Sequence, residues 1–202
     1  MDKAQAEYFM TEAFKAAQNS TCARRRVGAV IVDRNNYIIS QGWNHSTNGI
    51  SCESKFFSDY IKRLGSTNED LEHWIQLLQE DPVAAHAQEK SLPLSIGSVW
   101  NEFLRYTKTD EFKKEHWNFM DQEMHSEIHA IINGYKHGWD LNNAILFSSR
   151  SPCVDCAKAI IEAGITKVYY TETSLKGLSG GLALLNDVIN IEHLELDHDY
   201  YT

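Results

Sequence analysis

Two short segments of this sequence concentrate side chains that commonly bind metal ions: HSEIHAI, at 125–131, and SPCVDCAKAI, at 151–160. Cys153 and Cys156 stand three residues apart at a predicted helix start, so both thiols can reach one ion. A helix N-terminus also favours the thiolate, which is the form that binds zinc. A CxxC pair can also be a redox dithiol or one half of a zinc ribbon. The sequence has no second CxxC, and the pair comes late in the chain, so we interpret it as a metal-ligand pair.

The first segment can complete a catalytic metal site. A catalytic zinc typically has three protein ligands and one open position for water. His125 would be the third ligand, and Glu127 would face the water as an acid–base group without binding the metal. Ser126 stands where the metalloprotease motif HExxH requires glutamate, which excludes that motif. A lone His-x-Glu is common on solvated helices, but H-x-E followed by P-C-x-x-C is the pattern of zinc nucleobase deaminases. We interpret His129 as a pocket or core histidine.

Composition limits the classes of function. The chain has 202 residues and a formal net charge of −9, which argues against nucleic acid as the main partner. The arginines at 24–26 either form a local basic pocket or lie on a solvated loop. The sequence contains no run of 18 apolar residues, and its N-terminus lacks the apolar core of a signal peptide. We therefore expect a cytoplasmic protein without a membrane span. In that compartment the four cysteines are expected to be metal ligands or catalytic thiols before disulfides.

The elements that would position these side chains alternate between strands and helices. Periodicity predicts, in chain order, a helix at 6–17, strands at 27–33 and 37–43, helices at 56–64 and 69–78, a helix at 124–137, a strand at 143–149, a helix at 152–163, a strand at 167–172, a helix at 182–189 and a strand at 191–196. This order predicts an α/β sandwich with helices on both faces of one sheet. We interpret residues 1–202 as a single domain with a helical insertion at about 53–118.

In these segments the chain resembles the deoxycytidylate (dCMP) deaminases of the zinc-dependent cytidine deaminase superfamily, particularly the phage-encoded ones. The resemblance rests on EYFMTEAFKAAQNS, VGAVIVDRNNYIISQGWN, HSEIHAI and SPCVDCAKAIIEAGITKVYY. The family usually has alanine where Ser126 stands, asparagine where His129 stands, and G-Y-N-G where residues 42–45 read GWNH. The resemblance implies a three-layer α/β/α sandwich with a central mixed five-stranded sheet. It also implies hydrolysis of dCMP to dUMP and ammonia, which supplies thymidylate synthesis; the alternative is a deaminase acting on dCTP or another cytosine nucleotide.

The resemblance further implies a homohexamer that is activated by dCTP and inhibited by dTTP at a separate, Mg²⁺-dependent site. The candidate residues of that effector site, around a glycine-bracketed polar loop, are Arg24, Gly42, Asn44, His45, Asn48 and Gly49. Asn44 is also expected to bind the sugar 3′-hydroxyl of the substrate. The other substrate-binding candidates are Tyr170 for the base, with Tyr169 as its competitor, Arg26 and Lys136 for the 5′-phosphate, and Ser151. Ordinary surface charge is the alternative for Arg26 and Lys136.

Two cysteines remain outside the catalytic motif. Cys22 precedes the first predicted strand and Cys52 follows the second, and an antiparallel hairpin returns the chain to the end from which it began. Free buried thiols are one interpretation. The resemblance implies the other, a second, structural zinc site completed by His116 and Glu123. A purely structural zinc module and a catalytically inactive nucleotide-binding regulator are the rival functions, and the presence of Glu127 argues against both.

Overall fold

The computed structural model describes residues 1–117, 119, 122–173 and 180–196, and its contacts divide the chain into two compact units. The first, here the sheet unit, comprises Met1–Ala17, Val27–Asn44 and His125–Thr202. The second, here the helical unit, comprises Gln18–Arg26 and His45–Met124. The predicted insertion at 53–118 lies inside the helical unit, which extends beyond it on both sides. The interpretation of the whole chain as one domain stays a prediction.

The described elements follow the chain in this order: α1 (Lys3–Ala17), β1 (Gly28–Val32), β2 (Ile38–Trp43), β3 (His45–Ser46), α2 (Cys52–Leu64), α3 (Glu69–Glu80), α4 (Pro82–Gln88), a 3₁₀ turn (Glu89–Ser91), α5 (Leu94–Tyr106), α6 (Asp110–Trp117), β4 (Glu123–Met124), α7 (Ser126–Lys136), β5 (Ile145–Arg150), α8 (Val154–Glu162), β6 (Lys167–Glu172), α9 (Leu182–Asn186) and β7 (Asn190–His193). None of the helices in the described ranges combines the length and apolar character needed to span a bilayer.

The sheet unit is built on one mixed five-stranded sheet in the order β2-β1-β5-β6-β7. Strand β1 pairs antiparallel with β2 and β5, whereas β6 and β7 continue parallel to β5. Side chains alternate between the faces of a strand, so Ala29 and Ile31 pack on the side of α7, α8 and α9. Val30 and Val32 pack with α1 on the other side. The predicted three-layer α/β/α architecture with a mixed five-stranded sheet is confirmed.

The helical unit has an aromatic core of its own. Its largest buried side chains come from four different helices: Phe56, Phe57, Trp74, Trp100, Phe103 and Phe112. Periodicity in the sequence predicted two helices in this region and did not predict α4, α5 or α6. Helix α5 buries Ile96, Trp100 and Phe103 at steps of four and three, which is the spacing of an amphipathic helix. Two prolines, Pro82 and Pro93, stand at the starts of α4 and α5, where proline is compatible with a helix.

Candidate metal and acid–base site

Two metal-ligand candidates occupy the N-cap positions of neighbouring helices. His125 caps α7 with φ −77° and ψ 148°, and Cys153 caps α8 with φ −77° and ψ 175°. Both helices therefore begin later than predicted, because each ligand keeps an extended backbone. Cys156 follows within the first turn of α8 and is buried. Since α7 and α8 pack on the same face of the sheet, their N-termini bring the three side chains together.

The geometry of this cluster fits zinc. The Nδ1 atom of His125 lies 3.3 Å from Sγ of Cys156 and 3.4 Å from Sγ of Cys153. The three potential ligand atoms all lie within 4.8 Å of one another. A tetrahedral ion with typical zinc–sulfur and zinc–nitrogen bond lengths separates its ligand atoms by roughly 3.5–3.8 Å. Small movements of the side chains would therefore suffice to hold the ion.

The two thiols of this cluster differ in acidity. The hydrogen bond from Cys156 lowers the pKa of Cys153 to about 3, and the imidazole of His125 acts in the same direction. The same hydrogen bond, together with burial, raises the pKa of Cys156. The thiolate, which is the form that binds zinc, is therefore favoured at Cys153.

Glu127 lies beside the metal ligands without being one of them in this cluster. It sits in the first turn of α7, and it is only 4% exposed. Burial raises the pKa of its carboxyl group, and the charge of His125 opposes that shift. A hydrogen bond with Glu127 also contributes to the raised pKa of Cys156, which places the carboxyl group next to that thiol. A buried carboxyl group with a raised pKa at a metal site is suited to proton transfer.

Helix α7 lies unusually close to strand β2 because Gly42 has no side chain. A Cβ at Gly42 would lie 2.3 Å from the amide nitrogen of Ala130 and 2.4 Å from the carbonyl oxygen of Ser126. Ser40, on the same strand, donates a 2.6 Å hydrogen bond to the carbonyl oxygen of Ala130. The sequence pattern placed Gly42 both in the predicted strand at 37–43 and among the effector-site candidates. In the structure it is a buried strand residue whose size determines where α7 sits.

Replacing Gly42 with alanine is expected to lower kcat/KM for the deamination expected from the sequence by roughly a hundredfold or more. The new methyl group would force the α7 backbone, which carries His125 and Glu127, to shift by roughly 1 Å, and misplacements of that size cost about that much. Steady-state kinetics and zinc content would measure the effect. Gly97→Ala is the matched control, because a Cβ there meets atoms at 3.5 Å or more. Wild-type kinetics in Gly42→Ala would contradict the packing role of Gly42.

Three predicted substrate-binding residues lie in the sheet unit. Asn44 directly follows β2, is buried, and accepts a 2.7 Å hydrogen bond from the amide of Val27 through its side-chain oxygen. Ser151 is buried and directly precedes the proline–cysteine step of the metal segment. Tyr170 is half-buried on β6. Tyr169 stacks on Phe147 in the core beside α1, so by strand alternation Tyr170 is the tyrosine that faces the side of α7 and α8.

Of the two predicted phosphate ligands, one lies in the helical unit and the other at the C-terminal end of α7. Arg26 belongs to the helical unit, where its Nη2 atom is 3.1 Å from a carboxylate oxygen of Glu53 and 2.5 Å from one of Glu89. Lys136 is the last residue of α7. It is therefore roughly 15 Å along the helix from the end that carries Glu127. The structure gives Arg26 an ion-pair role and does not bring Lys136 to the metal ligands, so neither phosphate contact gains support.

His129, which we interpret as a pocket or core histidine, is half-buried and makes hydrogen bonds at the end of β2. Its Nδ1 atom lies 3.1 Å from the carbonyl oxygen of Trp43, and its Nε2 atom lies 3.0 Å from Nδ2 of Asn133. The Asn133 amide also donates to the carbonyl oxygen of Gln41. These bonds join α7 to the end of β2. The role of His129 is therefore to attach the helix to the strand that precedes Asn44.

The candidate effector loop lies mostly in the helical unit. Strand β3 pairs antiparallel with β4, and Asn48 Nδ2 donates a 2.6 Å hydrogen bond to the side-chain oxygen of Gln122. Gly49 has φ +76°, a conformation that favours glycine, and its carbonyl oxygen accepts from the side chain of Gln79. His45 forms part of β3, and Arg24 is exposed. The loop is thus held by side-chain amides, and its nucleotide-binding role stays a prediction.

A second group of potential ligands lies in the helical unit. Cys22, Cys52 and His116 are all buried, and their ligand atoms lie within 4.8 Å of one another. Burial alone would raise the pKa of Cys52, but hydrogen bonds with Cys22 and His116 outweigh burial and lower this pKa to about 7. The hydrogen bond with Cys52 and burial both raise the pKa of Cys22. The carboxyl group of Glu123 lies close enough to Cys22 to raise this pKa further. Nδ1 of His116 has no hydrogen-bond partner among the described residues. Two thiols, an imidazole and a carboxylate form a donor set that fits a closed zinc site.

One supporting residue was not predicted from the sequence. A Cβ at Gly181 would lie 2.1 Å from the carbonyl oxygen of Pro152 and 2.9 Å from that of Cys153. The start of α9 is therefore packed against the backbone of the metal segment. The Gly-Gly pair at 180–181 was the available signal, since paired glycines often mark a close backbone approach.

Comparison with known proteins identifies related sequences. Residues 3–172 match the family model described as the cytidine and deoxycytidylate deaminase zinc-binding region. The deoxycytidylate deaminase of Enterobacteria phage T4 is 33% identical over 170 residues, which cover 83% of this chain and 78% of that protein. The deoxycytidylate deaminase of Enterobacteria phage T2 is 30% identical over 192 residues, which cover 92% of each chain.

Solved structures show the same fold. The dCMP deaminase of cyanophage S-TIM5, crystallised in complex with dCMP and dUMP, superposes with a TM-score of 0.58 at 23% identity. The match covers 96% of this chain and 98% of the cyanophage chain. It agrees with the mixed five-stranded sheet and its helical layers.

Proposed function

This chain belongs to the zinc-binding cytidine and deoxycytidylate deaminase family, and we propose that it hydrolyses dCMP to dUMP and ammonia. The observation that carries the proposal is the convergence of three potential metal ligands with one buried carboxyl group at the N-termini of α7 and α8. The phage relatives named deoxycytidylate deaminases support dCMP as the substrate. A supply of dUMP for thymidylate synthesis is the corresponding metabolic role.

The proposed metal ligands are His125, Cys153 and Cys156. When bound there, zinc supplies a Lewis acid that makes a water molecule acidic enough to ionise near neutral pH. The N-cap positions of His125 and Cys153 hold their side chains at helix ends, where the helix dipole of α8 favours the thiolates. Two thiolates and an imidazole would together hold the ion, which matches the three protein ligands typical of a catalytic zinc site.

Glu127 performs the proton transfers in this proposal. Its carboxylate accepts a proton from the attacking water and delivers it to N3 of the cytosine ring, which activates C4 for attack. Glu127 then takes a second proton from the hydroxyl group now on C4 and donates it to the amino group, so that the C4 carbonyl forms as ammonia leaves. Burial raises the pKa of Glu127, which is the direction expected for a carboxyl group that must both accept and donate a proton.

Two further residues are proposed to orient the nucleotide. Asn44 binds the sugar 3′-hydroxyl, and the hydrogen bond from Val27 fixes the direction in which its carboxamide points. Tyr170 forms a wall for the base, because it lies on the same side of the sheet as the two ligand-bearing helices. Ser151 is buried and directly precedes the segment with Cys153 and Cys156, and we propose that it contacts the substrate there.

Ammonia release from dCMP, dCTP and deoxycytidine tests this function directly. We expect zinc-loaded protein to turn over dCMP with the highest kcat/KM, and we propose that dCTP activates and dTTP inhibits this reaction. The motivation for regulation is the polar loop at 45–49, whose Gly49 has the backbone freedom to wrap a phosphate. Zinc-loaded protein that releases no ammonia from dCMP would contradict the function, and faster turnover of dCTP would favour the alternative substrate. Unchanged rates with both nucleotides would contradict only the regulation.

The remaining proposals concern the assembly and its metals. We propose a structural zinc at Cys22, Cys52, His116 and Glu123, and Mg²⁺ bound together with the effector nucleotide. We also propose a cytoplasmic location, in which reduced cysteines would be available as metal ligands. A homohexamer stays a prediction from the family resemblance, and the acidic net charge supports the expectation that nucleic acid is not the partner.

A further inference from the structure

The hydroxyl group of Ser126 lies against the carboxyl group that carries the proposed chemistry. Its Oγ atom donates a 3.0 Å hydrogen bond to Oε2 of Glu127. Ser126 is 0% exposed and Glu127 is 4% exposed, so water has little access to this bond. A hydrogen bond to a carboxylate is stronger than one between neutral groups, and burial strengthens it further. The sequence offered Ser126 only as a small residue between His125 and Glu127.

The backbone around Ser126 is also fixed. Ser126 is the first residue of α7, and its carbonyl oxygen lies where a Cβ on Gly42 would come within 2.4 Å. The packing of β2 against α7 thus restrains the residue that holds Glu127. A donor on a restrained backbone can fix the rotation of the carboxyl group about its last side-chain bond.

We propose that Ser126 is a positioning residue that holds Oε2 of Glu127, so that Oε1 is the oxygen that accepts and returns the proton. This inference rests on the proposed function, since it assigns a role within that reaction. The arrangement is compatible with both states of Glu127. In the charged state Oε2 accepts from the hydroxyl group, and when the proton resides on Oε1, Oε2 is a carbonyl oxygen that still accepts from it. The hydrogen bond from Ser126 therefore need not break during turnover.

Ser126→Ala tests the inference through a split between kcat and KM. We expect kcat for dCMP to fall by roughly 10- to 100-fold, which corresponds to the loss of one hydrogen bond to a charged group. The KM for dCMP should stay within about twofold, and zinc content should not change, since Ser126 contacts neither the substrate nor the metal in the proposed mechanism. Alanine is smaller than serine, so the buried position accommodates it.

Ser40→Ala is the matched control. Ser40 is also a buried serine that donates to α7, but its acceptor is the carbonyl oxygen of Ala130 instead of Glu127. Both variants should lose a similar amount of thermal stability, and only Ser126→Ala should lose kcat. A kcat within twofold of wild type in Ser126→Ala, or an equal loss of kcat in Ser40→Ala, would overturn the positioning role. In either case an active wild-type enzyme leaves the proposed function intact, whereas a wild-type protein inactive on dCMP would refute that function instead.

Discussion

Glu127→Gln is expected to retain the fold and the catalytic zinc but to lose turnover by roughly three orders of magnitude or more, within the range for a positioned acid–base group. Glutamine has nearly the same shape as glutamate, and its side-chain oxygen can still accept the hydrogen bond from Ser126. It cannot take a proton from water or return one to the leaving amine. Ammonia assays would measure turnover, elemental analysis would measure zinc content, and circular dichroism would report whether the fold is retained.

The matched control removes a carboxylate from the end of the neighbouring ligand-bearing helix. Glu162 is the last residue of α8 and is exposed, so Glu162→Gln changes the charge by the same amount far from the ligands of that helix. We expect its kinetics to equal those of wild type. If Glu127→Gln kept more than a tenth of wild-type activity, Glu127 would not be the acid–base group, and another proton carrier would have to be sought.

The metal ligands could be predicted from the sequence because their geometry is local. The spacing of His125 and Glu127 and the spacing of Cys153 and Cys156 each fall within one helical turn, so a helix start is enough to arrange each pair. The alternation of strands and helices then predicts that the two helix starts meet at one end of a sheet. The structure adds that His125 and Cys153 are themselves the N-caps.

Other parts of the site depend on packing between distant segments, which periodicity does not encode. Gly42 was predicted to end a strand and was also a candidate effector residue, but the need for glycine there is explained by the backbone of α7, more than 80 residues later. Arg26 was assigned to phosphate because it precedes a strand, and its carboxylate partners, Glu53 and Glu89, come from a region whose helices were only partly predicted. Lys136 is different, because helical rise alone places it far from the N-terminus of α7.

Cys52→Ser is expected to lower the zinc content from two ions per chain to one and to destabilise the helical unit. The buried group at Cys22, Cys52 and His116 offers three donors, and Glu123 offers the fourth. These residues come from four places along the chain, so a common ion would close long loops whose ordering is entropically unfavourable. Structural zinc in small peptides contributes about 10–16 kcal/mol, so its loss should be severe. Elemental analysis and limited proteolysis within 45–117 would report both effects.

Cys153→Ser is the reciprocal control for this experiment. It should also leave one zinc per chain, but the ion lost would be the catalytic one, so ammonia release should disappear while the helical unit stays resistant to protease. Hydrogen exchange would locate the change independently, because Cys52→Ser should expose the amides of α2 and α6, which carry Cys52 and His116. One zinc per wild-type chain, purified without chelators, would refute the second site. The buried thiols Cys22 and Cys52 would then be core residues, and the lowered pKa of Cys52 would reflect its contacts with Cys22, His116 and the amide of Ala23.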